Sequence, residues 1–150
     1  MKEIYQILRS KGLQQEIKSF KTSSGSNAFM VATWNGHLDI CKFLVREDLV
    51  DVNAKNVSGS NALYYAAMYN RPEMAKLLLE ETTIDVNEQT NRGSTALHEA
   101  ALWNGTEVTR ILLKYKSRLL KDKDGDTPLD VAREEENEEI IQLLNTHYNM

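Results

Sequence analysis

Few side chains here have the types and spacing for chemistry, and His37 with Cys41 is the first pair to weigh. They stand four residues apart, so a helix sets an imidazole near a thiol on one face, the pairing that activates a cysteine nucleophile. Cys41, however, falls beside apolar positions of a helical pattern, where a thiol reads as a small hydrophobe. His147 lies in a tail expected to fray. No phosphate-cradling glycine loop, paired-cysteine motif or histidine and carboxylate cluster with metal-ligand spacing occurs in the sequence. The expectation is a non-enzymatic chain without cofactor or metal, whose function belongs to a surface.

The elements that build this surface repeat. Gly25, Gly59, Gly93 and Gly125 open the segments GSNAFMVATWNGHLDICKFL, GSNALYYAAMYNRPEMAKLL, GSTALHEAALWNGTEVTRIL and GDTPLDVAREEENEEIIQLL, at spacings of 34, 34 and 32 residues. Such periodicity is the signature of a stack. Two residues after each Gly comes Asn27, Asn61, Thr95 or Thr127, whose side chain can accept amide hydrogens from a helix's first turn. Pro128 then suits the first helical position of the last copy. Positions four, seven and eight of the inner copies (Phe29, Ala32, Thr33; Leu63, Ala66, Ala67; Leu97, Ala100, Ala101) form one apolar stripe. At position eleven Gly36, Asn70 and Asn104 tolerate a left-handed backbone and end the first helix. A second helix carries apolar residues at fifteen, eighteen and nineteen: Ile40, Phe43, Leu44; Met74, Leu77, Leu78; Val108, Ile111, Leu112; Ile140, Leu143, Leu144.

The phased pattern resembles the ankyrin repeat, whose consensus G-x-T-P-L-H-x-A-A-x-x-G-H is followed by a second helix and a D-V-N element. Asp51-Val52-Asn53 and Asp85-Val86-Asn87 fall at that offset, and the resemblance covers about residues 23 to 146. It implies an all-α solenoid of stacked helix-turn-helix units, with short β-hairpin fingers and helical caps. The units run 1–22 (N-terminal cap), 23–56, 57–90, 91–122 and 123–150 (C-terminal capping repeat). Terminal units need polar ends because each has one neighbour. In the first, Ile4, Ile7 and Leu8, then Gly12 as a break, then Leu13, Ile17 and Phe20 describe two short amphipathic helices leading to a compact Ser-rich loop where the long hairpin finger is expected to be absent. In the last, Ala132 is followed by Arg133, and Glu134, Glu135, Glu136, Glu138 and Glu139 form a wet acidic face.

Departures from the consensus are informative. Ala28, Ala62 and Ala96 replace its Pro, and Met30, Tyr64 and Asp130 replace its His. Thr95 and His98 are left as the place where the family's hydrogen bonding between repeats is expected, which makes His98 structural. LEETTIDVN, with Leu79 eight residues before Asn87, is similar to the motif that asparaginyl hydroxylases accept in ankyrin proteins; Asn53, with Val45 at that offset, fits less well. The main role expected for both Asn residues is to bond the finger backbone, and a regulatory or modification-target role at Asn87 is the alternative function.

If positions four, seven and eight face the stack, positions six, nine and ten project away from it. Position nine holds Trp34, Met68 and Leu102, position ten Asn35, Tyr69 and Trp103, and position six Val31, Tyr65 and Glu99. Aromatic side chains on a solvent-facing stripe mark interaction sites and dominate binding hot spots. In proteins that look like this one, the concave groove between first helices and fingers is the usual binding surface. The leading expectation is therefore a protein-binding module centred on Trp34, Met68, Tyr69 and Trp103, with Ser58, Ser60, Arg92 and Ser94 at the fingers. The competing placement folds Trp34, Tyr65 and Trp103 sideways against the next repeat.

Composition narrows the partner. The chain is 41% hydrophobic and 27% charged, near the globular norm. A net charge of −4 argues against nucleic acid. Arg110, Lys114, Lys116, Arg118 and Lys121 form one basic stretch, read as a solvated helix end. No apolar run is long enough for a membrane helix, and MKEIYQIL is too polar for a secretory signal. One cysteine suits a reducing compartment, so the cytoplasm is expected first and the nucleus second. Another protein or peptide is the expected partner, with a monomer in its absence.

Overall fold

The computed structural model describes Gln6, Ile7 and residues 10–150. Ile4 and Leu8 of the expected N-terminal helix lie outside the described residues. A short helix, α1 (Gln14–Ser19), precedes four helical hairpins: α2 (Ala28–Trp34) with α3 (Leu38–Arg46), α4 (Ala62–Met68) with α5 (Pro72–Glu81), α6 (Ala96–Leu102) with α7 (Thr106–Lys114), and α8 (Pro128–Glu134) with α9 (Glu138–Tyr148). The first helices stack in the order α2, α4, α6, α8, and the second helices form a parallel layer α3, α5, α7, α9. None of the helices among the described residues is long and apolar enough to cross a membrane.

Each hairpin follows from its sequence. Asn27, Asn61, Thr95 and Thr127 are the N-caps, and their side chains accept from the backbone N–H of Met30, Tyr64, His98 and Asp130. The stripe at positions four, seven and eight is buried in all three inner copies. Position eleven takes positive φ at Gly36 (77°), Asn70 (47°) and Asn104 (53°), and also at Glu136 (55°), a residue type that gives no sequence signal for that conformation.

Hydrogen bonds then cross from repeat to repeat. Thr95 N–H donates to His98 Nδ1 at 3.1 Å, so Nε2 carries the ring proton and donates to Asp126 O at 3.1 Å in the following loop. Burial, opposed by that carbonyl, holds the imidazole below its ordinary pKa and keeps it neutral. The expected structural role of His98 is thus visible. Thr127 and Asp130 form the corresponding capping box in the last copy, with the carboxylate in place of the imidazole. Its pKa is held low by the Thr127 hydroxyl and backbone N–H.

The fingers differ from the β-hairpins expected: among the described residues no strand forms. Each finger is a tight turn closed by two backbone bonds: Thr22 N–H to Ser26 O, Asn56 to Ser60, Thr90 to Ser94 and Asp122 to Asp126, all at 2.9–3.0 Å, and the return bonds from Gly25, Gly59, Gly93 and Gly125 N–H to Thr22, Asn56, Thr90 and Asp122 O. Side chains take up N–H groups that a ladder would need. Asn56 Oδ1 accepts from Ser58 and Ser60, and Asp122 Oδ1 from Asp124 and Asp126. Successive turns are joined by single rungs: Val57 N–H to Ser24 O, Asn91 to Ser58 O and Lys123 to Arg92 O. The Ser-rich N-terminal loop is therefore a fourth finger.

Close stacking of these turns explains Gly93. A Cβ there would stand 2.9 Å from Asp122 Cα, whereas one at Gly125 meets nothing within 4 Å; both residues have positive φ, 79° and 94°. Ala at either site should carry a left-handed penalty of roughly 1–2 kcal/mol, and Gly93→Ala should lose more because two backbones must part. Chemical denaturation of the two variants checks this, and equal losses would contradict finger-to-finger stacking.

Stack ends depart from the expected core. Ile40 is 46% exposed although its counterparts Met74, Val108 and Ile140 are buried, because it faces the end of the stack, where α1 lines a groove with it. An open apolar groove of about 480 Å³, lined by Ile17, Phe20, Val31 and Ile40, remains there. Phe20 is likewise exposed, and α1 buries no residue fully. His147 is in the last turn of α9 with its ring against Tyr148, not in a frayed tail.

Candidate functional site

The residues that could do chemistry are not assembled for it. Cys41 is fully buried, its Sγ near Thr33 Oγ1 (3.7 Å) and Phe29 O (3.9 Å). Burial pushes the thiol up to about 11, so it is not a thiolate nucleophile at neutral pH. His37 is exposed at the start of α3. Asn87 spans the repeat boundary: its Nδ2 donates to Lys116 O at 3.4 Å and its Oδ1 accepts from Arg118 N–H at 2.7 Å. Asn53 reaches Thr83 Oγ1 at 2.8 Å in the same way. Both turns are set by the preceding Asp, whose carboxylate accepts from the Asn backbone N–H.

A groove of about 600 Å³ runs between the finger turns and the first helices of the last three hairpins. Of the residues picked out from sequence, Ser58, Ser60, Tyr65, Met68, Arg92, Ser94, Glu99 and Leu102 line it. Trp34, Asn35, Tyr69 and Trp103 lie outside that lining at the ends of their first helices. Trp103 is 56% exposed and Tyr69 49%, and Leu102 is exposed beside them. Asn35 is exposed, with its Nδ2 turned back to Val31 O. Trp34 is half-buried and packs edge-on against Tyr65 at 5.2 Å between ring centres; Tyr65 in turn stacks with Tyr69 at 6.5 Å. Trp34 thus takes the sideways placement in part, and Trp103 does not.

Projection from the stack does not hold for Glu99, which is only 5% exposed. Its carboxylate accepts from Ser94 Oγ and Trp103 Nε1, each at 3.2 Å. Tyr64 donates to it as well, and burial, then the Glu99 charge, raises that phenol well above its ordinary range. Glu99 is therefore the link between the exposed indole and the groove floor. Arg92 extends the opposite way, to Asp124 at 3.3 Å.

Sequence reasoning stopped the site at the third copy. The same count carried into the fourth gives Val131, Glu134 and Glu135 at positions six, nine and ten, and all three line the groove, as do Asp122, Asp124 and Asp126 from the last finger. The acidic residues of that copy had been assigned wholly to the wet face of a cap, which hid the signal.

A family model described as ankyrin repeats (3 copies) matches residues 2–90 and 83–150. No curated protein matches the chain.

Proposed function

We propose, from the premise that this chain belongs to the ankyrin repeat family, that it recognises a partner protein or peptide through the groove between its first helices and finger turns. Ankyrin repeats are in general protein-interaction modules, and the fold alone does not select a partner. The observation that carries the reading is local. Tyr69 and Trp103 stand exposed at the C-terminal ends of α4 and α6, the two helices whose residues Tyr65, Met68 and Leu102 line the groove. Apolar and aromatic side chains so grouped gain free energy when a partner excludes water from them. Partner capture by the wild-type chain, compared with capture by Trp103→Ala, tests the reading; equal capture by both would refute it.

Modification at Asn87 is a second, narrower reading. It is supported by the LEETTIDVN match and by the placement of Asn87 in a loop rather than a helix. The hydrogen bonds of both its amide atoms to the next repeat require that loop to open for an enzyme. Intact mass after incubation with an asparaginyl hydroxylase decides it: a gain of one oxygen supports it, and an unshifted mass removes it.

A further inference from the structure

Resting on the groove reading above, we infer that the occupant is an extended peptide segment bearing Arg or Lys, with its apolar residues toward the aromatic end of the groove and its cation toward the last finger. The groove is graded along the stack. Toward one end, Tyr65 of the lining joins Trp34 and Tyr69, which lie outside it, in a continuous aromatic series; toward the other, Glu99, Asp122, Asp124, Asp126, Glu134 and Glu135 all line it.

Against these six carboxylates the lining has one permanent cation, Arg92, and its guanidinium is already held by Asp124. The other titratable base in the lining, His98, is kept neutral by burial, which outweighs its bond to the Asp126 carbonyl, and its Nδ1 is occupied by the Thr95 N–H. Glu99 contributes charge to the lining without being open to contact. It is nearly inaccessible, it accepts hydrogen bonds from neutral donors, and among the described residues no Lys, Arg or His forms an ion pair with it. It therefore acts on an arriving cation through its charge, while the exposed Glu134 and Glu135, in no ion pair among the described residues, are the carboxylates that such a cation can reach. Arg fits best, because its planar head can pair with two carboxylates and its stem and face can lie against Tyr65 or Trp103.

Acidic or neutral segments are disfavoured by the same geometry, since like charges brought together across an interface are repelled.

The probe is a display library of random peptides panned against the whole chain. The expected winners carry Arg or Lys beside an apolar residue, and their synthetic forms bind about tenfold or more weakly to Glu134→Gln/Glu135→Gln and to Glu99→Gln than to wild type. Glu134 and Glu135 are exposed, so the first variant remains informative if the second folds poorly. Binding should also weaken as salt is raised from about 0.01 M to about 0.1 M, over which the screening length falls from roughly 30 Å to roughly 10 Å. Winners without Arg or Lys that still lose affinity in Trp103→Ala overturn the basic occupant and leave the groove reading standing. Winners indifferent to both the glutamate and the Trp103 substitutions overturn both.

Discussion

Truncation of Leu97 to Ala should lower the unfolding free energy by about 2–5 kcal/mol. Leu97 is fully buried in α6, which packs against α4 on one side and α8 on the other. Its side chain therefore fills space in the middle of the stack, where the buried Ala66, Ala67, Ala100 and Ala101 let helices approach closely and a close-packed interior relaxes only in part around a deletion. Domains of this size are stable by only about 5–15 kcal/mol in total, and each kcal/mol moves the midpoint by roughly 2–4 °C. The loss should appear in urea and in heat. In a stack each unit leans on its neighbours, so a defect in the third hairpin should uncouple the last hairpin from the first two and broaden the transition. A change below about 1 kcal/mol, as at an unconstrained surface site, would place the core elsewhere.

Trp103→Ala should do the reverse, removing binding while sparing the fold. The indole is 56% exposed, and its one recorded bond is Nε1–H to Glu99 Oε2 at 3.2 Å. Loss of that bond to a carboxylate costs about 1.5–3 kcal/mol, toward the low end because truncation of an exposed ring opens Glu99 to water, a shift of several degrees. A central aromatic anchor at an interface is worth about 2 kcal/mol or more, which corresponds to roughly 30-fold in affinity. Isothermal titration with a peptide selected on the wild-type chain, beside a thermal scan of each protein, separates the two effects. Unchanged affinity would remove Trp103 from the site, and a stability loss as large as that of Leu97→Ala would assign it to the core.

Most of the fold could be read from the sequence because its strongest signals are local. A cap side chain recurs at a fixed offset from Gly25, Gly59, Gly93 and Gly125, and an apolar stripe and a residue type that accepts positive φ recur after the first three, and each bears on bonds made within a few residues. Features set by neighbours were harder to see. Ile40 has the type and position of a core residue, but burial depends on what lies beyond it, and at the end of a stack little does. The finger strands were lost to competition from Asn56 and Asp122, whose side chains satisfy the backbone locally. Glu99 was misplaced for the same kind of reason: helical rotation gives its direction, while Tyr64, Ser94 and Trp103, which close over it, come from other turns of the chain.

The groove itself was half visible. Large apolar side chains at positions six, nine and ten stand out against a soluble background, so Tyr65, Met68 and Leu102 were found. Acidic residues at those positions in the fourth copy look like ordinary surface until the last finger brings Asp122, Asp124 and Asp126 beside them.

The most direct measurement is a nitrogen–proton correlation spectrum of the labelled chain, free and saturated with a selected peptide, in which the two indole Nε1–H signals report separately. Recognition in the groove predicts shifts in the Trp103 indole and in the finger amides of Ser58 and Arg92, with the outer-layer amides from Arg110 to Lys114 unmoved. Shifts confined to α7 and α9, with the Trp103 indole and the fingers unchanged, would contradict it.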